Sequence, residues 1–105
     1  MPNHLIEFDK LEWINSAIGL RYKAYVNGNQ RLRLVEFSEG FVEEDWCLHG
    51  HAGYVIDGSF ALDFNGETER FQKGDTFFIP SGESDKHKAI LGIGENVMLL
   101  LFELI

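Results

Sequence analysis

The sequence predicts an all-β protein, a single antiparallel barrel preceded by a short N-terminal segment that is helical or irregular. Three observations carry this expectation. From Arg21 onward the chain falls into short runs rich in aromatic and branched residues, separated by Gly, Asn and Asp at intervals of about eight to twelve residues, the spacing of strands joined by tight turns. Eleven Gly stand against only two Pro, which favours turns over a disordered linker. The hydrophobic fraction of 45% includes nine Phe, ample core for one domain of this length, which buries roughly 60 to 70% of the surface exposed by its unfolded chain.

Taken in order, residues 1–18 read as an N-terminal arm of the one domain spanning 1–105. Within it Phe8 to Asn15 fits a short helical turn capped by Asp9, with Leu11 and Ile14 spaced to face inward. Strands are expected at 21–26, 31–37, 43–47, 52–56, 60–64, 68–71, 76–79, 85–90 and 96–104. Asn27-Gly28-Asn29, Asp57-Gly58-Ser59 and Asn65-Gly66-Glu67 each put Gly or Asn where a hairpin needs positive φ. Phe60, Leu62 and Phe64 alternate with Ala61 and Asp63, giving one strongly apolar face. Val97 to Phe102 is apolar on both faces, so one side should fill the barrel and the other be covered by the N-terminal segment or a second subunit, which makes a homodimer the expected assembly.

A formal net charge of −8 repels phosphate backbones and anionic membrane surfaces, so neither nucleic acid nor membrane is an expected partner. Cys47 is alone and has no intrachain disulfide partner. With no secretory-type segment at the start, the expected location is cytoplasmic. The apolar run 97–102 is too short to cross a bilayer.

Two stretches resemble the paired motifs of the cupin superfamily, G-x5-H-x-H-x(3,4)-E-x6-G and G-x5-P-x-G-x2-H-x3-N. Gly74-Asp75-Thr76-Phe77-Phe78-Ile79-Pro80-Ser81-Gly82 reproduces the frame of the second, which physically encodes a turn, a buried strand and a rigid loop. The family's histidine there falls on Asp85 and its asparagine on Ala89, with His87 two residues late. Tyr54-Val55-Ile56-Asp57-Gly58 resembles the end of the first motif. Counting back from Gly58 puts His51 on the glutamate position and the two family histidines on Asp45 and Cys47. The resemblance runs from about Gly19 to the end, carried by glycine, proline and strand pattern. It implies a small single-domain cupin, a double-stranded β-helix or jelly roll, with three or four metal ligands converging inside the barrel.

The residues available near those positions are His51, His87, Asp85, Cys47 and His49. Imidazole and carboxylate together suit iron, manganese, nickel or zinc, and a thiolate tilts the choice toward softer ions. If Leu48-His49-Gly50 is a tight turn, Cys47 and His51 both look inward and His49 sits at the mouth. If the strand is unbroken, Asp45, Cys47, His49 and His51 share a face. Under either geometry His51 points inward. Asp85 and His87 share a face if their strand is regular, which leaves Lys86 and Lys88 outward. Each has a plainer reading: a hydrogen-bonded histidine, a small buried thiol, a solvated turn aspartate. Arg31 and Arg33 share a strand face and reach a carboxylate in the pocket or simply solvate the sheet. Trp13 and Trp46 line a cavity or pack.

The expected function is binding of a small polar or anionic molecule, with one divalent metal in the barrel and metal-assisted chemistry of oxygenase, isomerase or lyase type. The alternative is a metal-free module that binds or senses a small molecule without catalysis. Fold does not choose between them.

Overall fold

The computed structural model describes residues 4–105. Eight strands, β1 (Ile14–Ala17), β2 (Leu20–Asn27), β3 (Gln30–Ser38), β4 (His51–Phe64), β5 (Glu67–Gln72), β6 (Thr76–Ile79), β7 (Lys88–Ile90) and β8 (Asn96–Leu104), form a curled antiparallel sheet in the order β1-β2-β3-β8-β4-β5. Strands β6 and β7 also pair with β4. No helix among the described residues is long and apolar enough to cross a membrane.

The regular half is β2, β3 and β8. Asn27 and Gln30 pair across the two-residue loop Gly28-Asn29, and Gly28 has φ 60°, as a hairpin with glycine at its first central position requires. The β3 and β8 ladder then runs without a break from Gln30↔Leu104 to Ser38↔Asn96. Alternation along β8 sends Val97, Leu99, Leu101 and Glu103 inward. Val35, Val55, Phe60, Val97 and Leu99 are almost fully buried and form the heart of the core.

Strand β4 departs from the expected hairpin at Asp57-Gly58-Ser59. It runs through, pairing by its first half with β6 and β8 and by its second half with β5 and β7. An irregularity between Val55 and Asp57 and the positive φ of Gly58, 82°, turn the strand from one wall to the other. A Cβ on Gly58 would lie on the Asn96 carbonyl oxygen, so backbone crowding at the bend admits only glycine.

Four further expectations are corrected. The helical turn shrinks to a 3₁₀ turn at Phe8–Lys10 whose flanking residue Glu7 makes no side-chain cap. The arm contains β1, and Leu11 and Ile14 are exposed: the arm adds an edge strand, so its apolar groups are not core. Residues 43–47 make no strand beyond one bridge, Cys47↔His87, because the adjacent charges Glu43-Glu44-Asp45 suit a ladder poorly. The strand expected from Asp85 begins only at Lys88, after a 3₁₀ turn at Glu83–Asp85 built from the turn formers Ser81-Gly82-Glu83-Ser84.

Candidate functional site

Inside the barrel, ligand atoms of Cys47, His51 and His87 all lie within 4.8 Å of one another. Three different pieces of chain deliver them. His51 opens β4. Gly50, just before it, approaches the Ile79–Ser81 backbone so closely that a Cβ would overlap the Ile79 carbonyl oxygen, and its N–H is received by Ser81 Oγ at 2.8 Å. The strand is thereby broken between Cys47 and His51, and both side chains turn inward. Cys47 and His87 are held by reciprocal backbone bonds, Cys47 N–H to the His87 carbonyl at 2.9 Å and the reverse at 3.1 Å.

Both imidazoles are gripped from behind. His51 Nδ1 is buried and lies 2.8 Å from Glu103 Oε2, an ion-pair contact without the alignment of a hydrogen bond. His87 Nδ1 lies 3.0 Å from the Asp85 carbonyl oxygen. That leaves Nε2 of each ring for the interior, and His51 Nε2 is 3.7 Å from Cys47 Sγ. Glu103 is almost completely buried and also accepts from Arg33, at 2.5 and 2.9 Å, and from Arg31, at 3.2 and 3.4 Å.

The electrostatics follow from these contacts. Hydrogen bonds from His51 and then His87 bring the Cys47 thiol down to about 5. Burial pushes His51 down, but the partners Cys47 and Glu103 outweigh it and raise the imidazole to about 9. His87 is raised in the same way, burial being overcome by Cys47 and the Asp85 carbonyl. Burial favours protonated Glu103, yet His51 and Arg33 hold its carboxyl well below the usual range. Glu43, which accepts the Ala89 N–H at 2.7 Å, is raised by burial.

These groups face a cavity of about 130 Å³ whose lining includes Arg33, Glu43, Cys47, His51 and His87, with Phe60 and Leu99 among the apolar residues. A wider outer groove, about 720 Å³, runs past Glu67, Phe78 and Asp85, but the cluster of three ligand atoms is not there.

Of the five residues expected around a metal, the structure brings together Cys47, His51 and His87. His49 is exposed and offers only its carbonyl oxygen, to the Cys47 thiol at 3.7 Å. Asp85 contributes its backbone carbonyl to His87 rather than its carboxylate to the cluster. Asp45 is exposed. Arg33 does hold a carboxylate at the cavity, that of Glu103. Trp13 lies under Arg21 and Lys23, and Trp46 beside Lys86 and Lys88, so their flat faces serve cations outside the cavity. Sequence reasoning missed Glu103 and Glu43. Glu103 has the inward parity of Val97, Leu99 and Leu101, which was the available signal. Glu43 carried none.

The arrangement of strands matches known structures over nearly the whole chain. A structure of KdgF from Halomonas sp. superposes with a TM-score of 0.77 at 22% identity, covering 99% of this chain and 96% of that one. The polyketide cyclase RemF from Streptomyces resistomycificus gives 0.81 at 19% identity, covering 98% and 80%. An RmlC-like cupin from Shewanella frigidimarina gives 0.73 at 18% identity, covering 99% and 93%. The chain has the cupin fold. No family model and no curated protein matches the sequence, so in this cupin barrel the chemistry has to be argued from the site itself.

Proposed function

We propose that this cupin barrel holds one divalent metal through Cys47 Sγ, His51 Nε2 and His87 Nε2, and binds a small molecule beside it. The observation that carries the reading is that an acceptor lies behind each Nδ1, the Glu103 carboxylate in ion-pair contact with His51 and the Asp85 carbonyl in hydrogen-bond contact with His87. Metal-binding histidines are oriented in this way by an acceptor on the far nitrogen. The donor set fits: the 3.7 Å between Cys47 Sγ and His51 Nε2 is close to the ~3.6 Å that tetrahedral bond lengths imply for sulfur and nitrogen on zinc. Two imidazoles and a thiolate suit zinc or a comparably borderline ion and leave a fourth position free.

Such a metal polarises a bound oxygen or lowers the pKa of a bound water. The chain's own residues do the rest. Glu103 fixes the His51 ring with Nδ1 outward and Nε2 inward. Glu43, whose carboxyl burial pushes up, lines the cavity and accepts the Ala89 N–H beside His87. The apolar wall excludes water and strengthens each polar contact. Metal analysis of protein purified without chelator tests the reading: zinc near one per chain is expected in the wild type and far less in His51→Ala. Sub-stoichiometric metal in both overturns it.

A metal-free binding module is the second reading. It is favoured by the same cluster being self-satisfied as a thiolate and imidazolium, with Cys47 brought to about 5 and His51 to about 9. A melting temperature raised by small acids but unmoved by zinc would select it.

The proposed assembly is a homodimer. Tyr25, Leu32, Phe102, Ala52 and Phe78 form one cross-strand row on the outside of the sheet. Tyr25, Phe78 and Phe102 in that row are exposed, and it carries no charge on a chain of net charge −8. Two copies of a strongly anionic chain meet with least repulsion on such a face. Light scattering checks this, with monomer expected for Phe102→Glu.

A further inference from the structure

We propose that the site selects a compact ligand with an apolar body and a single anionic oxygen head, typified by a small aromatic carboxylic acid, and rejects sugars and other polyols. For its charged head the inference rests on the metal reading above.

Size sets the first limit. The cavity of about 130 Å³ is close to the ~150 Å³ that accommodates benzene, so it takes a body of about one ring with a short head, roughly six to nine non-hydrogen atoms. Wall chemistry sets the second. The polar groups gather at one pole: Cys47, His51 and His87 converge, and Glu43 bonds the Ala89 N–H beside His87. The remaining wall is aromatic and aliphatic. Phe60 is in ring contact with Phe37 at 6.2 Å and with Phe77 at 6.4 Å between centroids. All three rings line the cavity. A ligand hydroxyl against that wall finds no partner, and each one stranded there weakens binding roughly ten-fold or more.

Charge sets the third. Arg33 at the pole is already met by Glu103. The ion and its three ligands, Cys47 as thiolate and two neutral imidazoles, together carry one net positive charge, which a monoanionic oxygen head in the open position neutralises. A dianion overshoots, and a neutral head leaves the charge unmet.

Calorimetric titration of the zinc-loaded chain with benzoate, benzamide, glycerate and 1-naphthoate tests this. Benzoate is expected to bind at least ten-fold more tightly than each of the others: benzamide lacks the charge, glycerate carries hydroxyls, and 1-naphthoate is too large. Phe77→Ala should admit 1-naphthoate. Phe77→Leu, a milder enlargement, should narrow the gap between the two aromatic acids if the alanine variant does not fold. Glycerate equal to benzoate, or 1-naphthoate bound equally by wild type, overturns the inference. Zinc content measured on the same samples separates the two proposals. Zinc at one per chain with no response to benzoate overturns this inference alone, whereas benzoate selectivity without any zinc supports the cavity argument and overturns the metal reading.

Discussion

The two halves of the site are built in opposite ways. Behind it stands a continuous ladder, β3 on β8, in which nine consecutive residue pairs hold register from Gln30↔Leu104 to Ser38↔Asn96. In front of it Cys47 and His87 meet in one isolated bridge between irregular segments. The ladder supplies Arg31, Arg33 and Glu103, which touch no interior ligand atom except through His51. The irregular segments supply Cys47 and His87 themselves. A rigid sheet can hold a buried charge network in place, while loops set on it are free to carry the reactive groups. His51, first residue of β4, is where the two halves join.

The largest expected effect breaks the rear half. Glu103→Ala leaves Arg33, whose side chain is 18% exposed, and His51 facing a buried gap where a carboxylate had been. Removing one partner of a buried network costs about 3 to 5 kcal/mol, and urea denaturation of the metal-free protein should read a loss near the lower end, since Arg31 can recover water. A loss below ~1 kcal/mol would mean that the ladder does not depend on this network.

Next comes the front half, where metal affinity should suffer most. Cys47→Ser removes one of the proposed ligands and should weaken zinc binding by more than the roughly 10- to 100-fold typical of losing an outer partner. Glu103→Gln keeps the shape behind His51 but loses the charge, and zinc affinity should fall within that 10- to 100-fold range. Competition with a colorimetric chelator measures both. Equal effects from the two variants would erase the distinction between front and rear.

A smaller effect concerns pH in the metal-free protein. The Cys47 thiol lies at about 5 when folded against 9.0 ordinarily, so its contribution is complete above pH 9.0 and is lost as pH falls toward 5. The His51 imidazole lies at about 9 against 6.5, so its contribution is complete below pH 6.5 and is lost as pH rises toward 9. Between 6.5 and 9 the two slopes cancel. Their joint contribution should therefore be flat there and decline only from pH 6.5 down to 5. Stability measured by urea across that range checks it, and Cys47→Ser should remove the acid decline. The thiolate absorbance of the folded protein should persist down to about pH 5.

The same division explains what was legible in the sequence. Alternation and turn chemistry encode the regular half locally, and β8 falls on 96–104 as its apolar run predicts. The Gly74 to Gly82 frame marked β6 and its loop, and the inward turn of His51 followed from either geometry of its neighbours. What escaped depended on distant partners. Asp57-Gly58-Ser59 has the composition of a hairpin, and only its pairing with β8 keeps β4 going through it. Asp85 acts through a backbone carbonyl, which side-chain chemistry does not reveal. Glu103 follows the apolar run without a motif of its own, and the parity that buries Leu101 buries it too. The strand β1 has only Ile14 as a strong strand former among Ile14-Asn15-Ser16-Ala17, and it exists because β2 offers it an edge.

The smallest expected effect lies on the outer side of the ladder and tests whether the N-terminal arm belongs to the rigid half. Lys23 is directed outward between β1 and β3, yet it is only 8% exposed because the arm covers it. Its Nζ donates to the Phe8 carbonyl at 2.7 Å and sits 4.8 Å from the centroid of Trp13. Lys23→Met retains the apolar stem against the sheet but loses the bond and the cation on the indole. Such a bond is partly offset by the cost of dehydrating the ammonium, so the net loss should be about 1 kcal/mol. Amide exchange should accelerate in residues 8–13 while β3 and β8 keep their protection, because the arm opens as its own unit. Zinc content should stay at the wild-type level, since nothing in the cluster touches Lys23. Faster exchange spreading into β8 would instead make the arm part of the ladder's cooperative unit, and the rear of the site would then extend to residues 8–13.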